Sequence, residues 1–313
     1  MRLRLGLPCA LCAVAVAVAG LAAPSGALAA DLPAIVTLLE GPAALLRGTS
    51  RLAVAEGVRL QAGDIVEVTD KGLAQVEFGD GMALSLGPGS RFYAASFAPR
   101  GAKGGAITEF YLMRGWAKFT TGKSATPFRV TSPVFGFGAG EATAVVHVTD
   151  AEGEIFVETG ELRLAEGFVK AVPTSPVRIK GGEFYARKAE GRGTTQPRPA
   201  PAFVGAMPRG FMDNLPARFS KWKDREVQPR VVGELAYGDV ELWLKAPPEI
   251  RRAVMKPFVH KANTDLAFRS ALVANLKFHM EWDPILYPEK YKPKPPPEQA
   301  EAPVPPARPG PAQ

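Results

Sequence analysis

The chain has 313 residues, with 38 Lys+Arg against 31 Asp+Glu and three His, for a formal charge of +7. Hydrophobic residues make up 46% and charged residues 22%, a globular mixture that excludes a wholly disordered chain and a polytopic membrane protein. Its 30 Pro and 32 Gly follow no triplet period, which excludes collagen.

Arg2 and Arg4 precede an uncharged run from Leu5 to Ala23, and Ala27-Leu28-Ala29 supplies a small-x-small cut site. Residues 1–29 therefore read as a secretory signal peptide cleaved after Ala29. An uncleaved anchor is the competing reading, since the run approaches the roughly 17–25 residues of a membrane span. The run is mostly Ala, however, and holds Pro8 and Gly20. Cys9 and Cys12 both fall inside it, and Leu11 is not the small residue that lipidation of Cys12 requires. Cleavage leaves a chain without cysteine, so thiol chemistry, Cys-ligated metals and iron–sulfur clusters are excluded. Acids and bases nearly balance over residues 31–180, and the basic surplus lies in residues 181–313. That surplus suits solubility or an anionic surface, either phospholipid headgroups in a peripheral membrane contact or an acidic glycan. Export argues against nucleic acid.

Residues 34–186 read as one mainly β region, an antiparallel sandwich or roll of short strands. Ala74, Val76 and Phe78 alternate with Gln75 and Glu77, which puts the apolar groups on one face. With Met82, Leu84 and Leu86 they predict a hairpin over Val76–Leu86, turning on a type I′ Asp80-Gly81. Thr143–Val148 and Glu154–Glu158 predict a second pair, buried more fully because Val145 and Val146 are adjacent. Further strands are expected at Ile35–Leu39, Ile65–Val68, Phe110–Leu112, Ala117–Phe119, Phe128–Thr131, Glu161–Leu164 and Ile179–Tyr185. No helix of ten residues is signalled there.

Residues 187–207, rich in Gly, Thr and Pro, read as an exposed linker. Residues 208–290 form a small, mostly helical unit. Pro247 and Pro248 open one helix, with Ile250, Val254 and Phe258 on its inner face. Thr264 or Asp265 caps a second, carrying Phe268, Leu272, Leu276 and His279 inward. Trp243 and Trp282 help close the unit, which buries little alone and so leans on the β region or on a partner. Residues 291–313 are a proline-rich, disordered tail.

Catalytic motifs are wanting. Gly122-Lys123-Ser124 lacks the upstream glycine of a phosphate loop, since Ala117 stands there, and no helix follows it. Gly136, Gly138 and Gly140 miss the dinucleotide spacing at Glu141 and suit a bend or bulge in a strand. His147, His260 and His279 share no metal-ligand spacing, and the acid pairs Glu152/Glu154 and Glu158/Glu161 read as solvated. No cofactor or metal is expected, and the chain reads as a non-enzyme. Aromatic and basic residues interleave at Arg91, Tyr93, Tyr111, Arg114, Trp116, Lys118 and Lys123, with Arg100 and Lys103 in the same stretch. They make a candidate binding surface for peptide, sugar or anionic polymer, with core packing as the competing claim on the rings.

The β region resembles the FecR domain family of exported bacterial envelope proteins. The resemblance rests on Gly63-Asp64-Ile65-Val66, on Gly72, Ala74, Val76 and Phe78, on Asp80-Gly81, and on Leu84, Leu86-Gly87-Pro88 and Ser90. Val36, Gly41 and Leu46-Arg47-Gly48 fit its opening strands, and Phe128 with Val130-Thr131-Ser132-Pro133 its second half. Ala139-Gly140-Glu141 stands where the family carries Arg-Gly-Thr, and Val68 where it carries threonine. The resemblance implies the periplasm of a Gram-negative bacterium. Its signalling members relay receptor state to a sigma factor through an inner-membrane helix with a cytoplasmic segment, and only four residues precede the apolar run here. The expected function is therefore a non-catalytic periplasmic binding or scaffold protein contacting an envelope protein, an anionic polysaccharide or peptidoglycan. The alternatives are a regulator of surface signalling tied to sigma-factor control and an envelope enzyme acting on glycan.

Overall fold

The structure, a computed structural model, describes residues 33–99, 107–123, 125–167 and 176–292. The expected signal segment with both cysteines, Arg100, Lys103 and the expected proline-rich tail beyond Lys292 lie outside the described residues.

Short apolar runs broken by glycine form strands here. In order they are β1 (Ala34–Glu40), β2 (Ala43–Arg47), β3 (Ser50–Ala53), β4 (Arg59–Leu60), β5 (Ile65–Val68), β6 (Leu73–Phe78), β7 (Ala83–Leu86) and β8 (Arg91–Ser96). Then follow β9 (Thr108–Thr121), β10 (Phe128–Thr131), β11 (Phe135–Val148), β12 (Glu152–Glu166), β13 (Val177–Lys180), β14 (Phe184–Lys188) and β15 (Thr194–Gln196). The result is a sandwich-like β domain. One pairing departs from the antiparallel expectation: β10 runs parallel to β9, so the sheet is mixed. The first half of β9 pairs with β8, and its second half with β7 and β11. One long strand thereby joins both layers around a core that includes Val36, Val66, Val76, Phe92, Phe119 and Ile155.

The bend that lets β9 change layers is at Gly115, with φ 95°. A Cβ there would lie 2.4 Å from the Ser90 Cα, so only glycine fits. The Ser90 hydroxyl clamps the bend, donating to the Trp116 carbonyl at 2.6 Å and accepting from the Trp116 amide at 3.1 Å. Phe110–Leu112 and Ala117–Phe119, expected as separate strands, are accordingly parts of one. Glu154–Glu158 and Glu161–Leu164 merge in the same way within β12. The β6–β7 hairpin forms as expected, but its turn is longer than type I′. Gly81 donates to the Phe78 carbonyl at 3.0 Å, Phe78 donates to the Met82 carbonyl at 2.9 Å, and Gly81 takes φ 91°. This is a three-residue loop closed by a glycine bulge, and Asp80 Oδ1 caps it on the Met82 amide.

Beyond β14 the chain wraps around the sandwich. The stretch 187–207, expected as an exposed connection, holds β15 and α1 (Pro201–Ala206), with Phe203 and Met207 buried. The reason is the layer beneath, where Leu38, Leu73, Trp116, Val145 and Phe184 form an apolar face that needs a cover. Helices α2 (Arg209–Met212) and α3 (Phe219–Trp222) continue that cover, and β16 (Arg230–Glu234) joins the sheet edge beside β3. The helical unit follows as α4 (Tyr237–Leu244), α5 (Pro248–Met255), α6 (Phe258–Thr264), α7 (Leu266–Ala274) and α8 (Asp283–Leu286). Ile250 and Val254 face inward on α5 as expected, whereas Pro257 ends that turn so that Phe258 starts α6. Asp265 Oδ1 caps α7 through the Phe268 amide at 3.0 Å. Trp243 and Trp282 are both buried. The unit packs on the layer opposite α1.

Candidate functional site

On a strand, side chains two apart share a face. The outward face of β2, β3, β5 and β8 thus carries Ala44 and Leu46, Arg51 and Ala53, Ile65 and Glu67, and Arg91 and Tyr93. Strand register lines these up in two adjacent rows. One runs Arg51–Leu46–Ile65–Tyr93–Tyr111, the other Ala53–Ala44–Glu67–Arg91–Arg114.

The first row is covered. Leu46, Ile65, Tyr93 and Tyr111 share one apolar cluster with Val240, Trp243 and Leu244 of α4. The Trp243 ring lies 6.4 Å from the rings of both tyrosines. Burial pushes both phenols above their ordinary pKa, which keeps them neutral. The second row is open, because two alanines leave its floor low. They form a groove of about 550 Å³ between Arg91 and Arg114 on one side and Val232 on the other. Trp243 marks the border, its indole donating to Glu67 Oε1 at 3.1 Å. That same oxygen pairs with Arg91 at 3.5 Å, and Arg51 at the rim pairs with Asp239 at 2.7 Å. Arg114 stands directly opposite Arg91. Among the described residues its guanidinium has no ion-pair or hydrogen-bond partner.

The proposed surface residues therefore divide. Arg91 and Arg114 come together in the groove, and Lys123 is exposed in the turn after β9, apart from it. Tyr93, Tyr111, Trp116 and Lys118 are at most 7% exposed and do not form an open surface. The cause is the C-terminal chain, which uses these groups as its own docking points. Trp116 stacks on His147 at 4.0 Å and packs on Phe203. The Lys118 ammonium donates to the Phe211 carbonyl at 2.7 Å and pairs with Glu158 at 2.9 Å. Glu67, Ala44, Ala53 and Val232 were missed, since two alanines become a floor only once the register sets them side by side. Glu77 was missed as well. Its carboxylate is 4% exposed and accepts from the Thr37 hydroxyl at 2.6 Å, the Gln75 amide at 2.8 Å and the Arg218 and Phe219 backbone amides at 2.8 and 2.9 Å.

Other polar groups hold the fold together. Arg47 forks onto Asp64 at 2.8 and 2.7 Å, which joins the Leu46-Arg47-Gly48 and Gly63-Asp64 sequences in space. Glu154 faces His147 at 3.1 Å, and Glu161 pairs with Arg178 at 3.6 Å. Among the described residues no group of His, Cys, Asp and Glu is placed to hold a metal ion, and no helix is long and apolar enough to cross a membrane.

A sandwich-like β module wrapped by its own C-terminal chain is the class these features define. Residues 64–163 match the family model described as FecR protein, so the chain carries a FecR region there, followed by a helical extension. No curated protein matches the chain. Two crystal structures of a "putative anti-sigma factor" from Parabacteroides distasonis ATCC 8503 are similar at TM-score 0.35 and 18% identity. One aligns with 43% of this chain and 59% of its own, the other with 45% and 64%. The chain thus spans under two thirds of the length of those structures.

Proposed function

We propose that the protein is a non-catalytic regulatory or scaffold module of the bacterial cell envelope, working on the periplasmic side by binding another protein. The FecR region at residues 64–163 carries this reading and favours the surface-signalling alternative over a general scaffold. A protein partner is favoured over a glycan by the fate of the aromatics. Sugar recognition would use open ring faces, and Tyr93, Tyr111 and Trp116 are already packed within the chain. The basic side of the open row suits an acidic partner surface.

Transcript profiling of a strain lacking the protein, against the complemented strain, tests the regulatory form. One sigma-factor-dependent set of transcripts should shift and return on complementation. No shift would contradict regulation and leave only the scaffold. Sequencing the N-terminus of envelope-purified protein tests its placement, with Ala30 expected as the first residue and Met1 as the contradicting result.

A further inference from the structure

The open row poses an electrostatic problem. Arg91 and Arg114 are direct cross-strand partners, and like charges set opposite each other destabilise a strand pair. Three arginines, Arg51, Arg91 and Arg114, line the groove against two carboxylates, Glu67 and Asp70. Glu67 is shared between the Trp243 indole and Arg91, and Arg51 is paired with Asp239. Two guanidinium groups a strand apart form a fork suited to an incoming anion. Beyond Glu67, which separates it from that fork, the Ala44 and Ala53 floor is shallow and apolar. Across it lies Val232, which is 56% exposed on β16. A pair of donors, an apolar floor and an apolar far wall thus follow one another across the strands.

We infer that this groove binds an extended acidic segment of a protein partner. A Glu or Asp carboxylate sits on the Arg91–Arg114 fork, and a small apolar side chain two residues along lies on Ala44 and Ala53 against Val232. Alternate side chains of the extended segment enter the groove, because successive ones point to opposite sides. The inference rests on the protein-binding reading and names the chemistry of the partner. It does not depend on whether that partner signals to a sigma factor.

The test uses the purified chain and a fluorescein-labelled peptide of sequence Ser-Glu-Ser-Val-Ser, which sets Glu and Val on one face, read by anisotropy. Saturable binding is expected that weakens with added salt, as a charged contact should. The Ser-Gln-Ser-Val-Ser peptide should bind at least about tenfold more weakly, the equivalent of one charge-assisted contact. Arg114→Gln should cost a similar factor, and Ala53→Leu should block binding by filling the floor. Arg114→Gln removes a like-charge opposition, so it should melt no lower than the parent, which separates lost binding from lost folding. Three results would overturn the inference: equal binding of the Glu and Gln peptides, full binding by Arg114→Gln, or inorganic phosphate binding as tightly as the peptide. The last would mark a simple anion site. Peptide binding alongside an unchanged transcript profile would retire the signalling proposal and keep the groove.

Discussion

The C-terminal chain covers both outer faces of the sandwich with apolar contact, but only one of them adds buried charges answered by backbone. On one face, around α2 and α3, the sheet offers buried charges, and the wrapping backbone answers them. Glu77 receives the Arg218 and Phe219 amides, and Lys118 donates to the Phe211 carbonyl. On the other face the helical unit docks through aromatic and aliphatic contact, centred on Trp243 against Tyr93 and Tyr111. Apolar docking tolerates imperfect geometry, because its free energy follows buried area. A buried charge needs each partner present, so the charged strap is the less forgiving of small changes.

The largest expected effect falls on the apolar side. Trp243→Ala removes a fully buried indole and should cost about 3–5 kcal/mol in denaturant unfolding. A loss under about 1 kcal/mol, the size of an ordinary surface change, would mean that the helical unit is not docked on the sheet. Next comes the strap: Glu77→Ala should cost about 1.5–3 kcal/mol, because it orphans donors that now meet a charged acceptor. Amide exchange should rise at Arg218 and Phe219, whereas helices α4 to α7 should keep their protection. Uniform loss of protection over both regions would show that the two faces unfold together.

Acid should distinguish the faces further. Buried His279 sits between the Tyr237 hydroxyl at 2.6 Å and the Leu244 carbonyl at 3.1 Å. The carbonyl accepts from Nδ1–H, so Nε2 accepts from Tyr237. Burial lowers the His279 pKa below its ordinary 6.5, with Lys245 and Arg251 acting in the same direction and the Leu244 carbonyl and Glu241 opposing. Burial also pushes the Tyr237 phenol up to about 12, so it remains a donor. As pH falls below 6.5 the unfolded chain takes up the proton first. The stabilisation is complete above that pH and is lost toward the folded pKa, by up to about 1.4 kcal/mol per pH unit. Melting followed by tryptophan fluorescence between pH 8 and pH 5 (about the range over which histidine titrates) should show this loss, and His279→Gln should flatten it. The smallest effect is expected at Lys123→Ala, an exposed side chain in a turn, which should stay within about 0.5 kcal/mol.

Much of the sheet was legible in the sequence because its local signals agree with its tertiary environment. Alternation gave β6 and β7, and the strand pair at residues 143–158 formed where Val145 and Val146 placed it. The polar face of β6 was not legible. Gln75 and Glu77 alternate as a solvent-facing row would, yet both are buried, because a segment far along the chain returns to cover them. The candidate surface divides for the same reason, with Arg91 and Arg114 left in the groove and Tyr93, Tyr111, Trp116 and Lys118 buried. Interleaved rings and cations between residues 91 and 118 mark docking points equally well for a partner and for the chain itself. Only register separates the closed row from the open one, and register is a long-range property.

A pair of introduced thiols tests that division most directly. Cys9 and Cys12 are the chain's two cysteines; with both replaced by Ser, a single new thiol reports one site. Leu46→Cys lies in the row beneath α4, and Ala53→Cys lies on the floor of the neighbouring open row. Under native conditions a maleimide should label Ala53→Cys rapidly and Leu46→Cys only at the rate of unfolding. Comparable rapid labelling of both in the folded chain would contradict a sheet face half closed by its own C-terminal region.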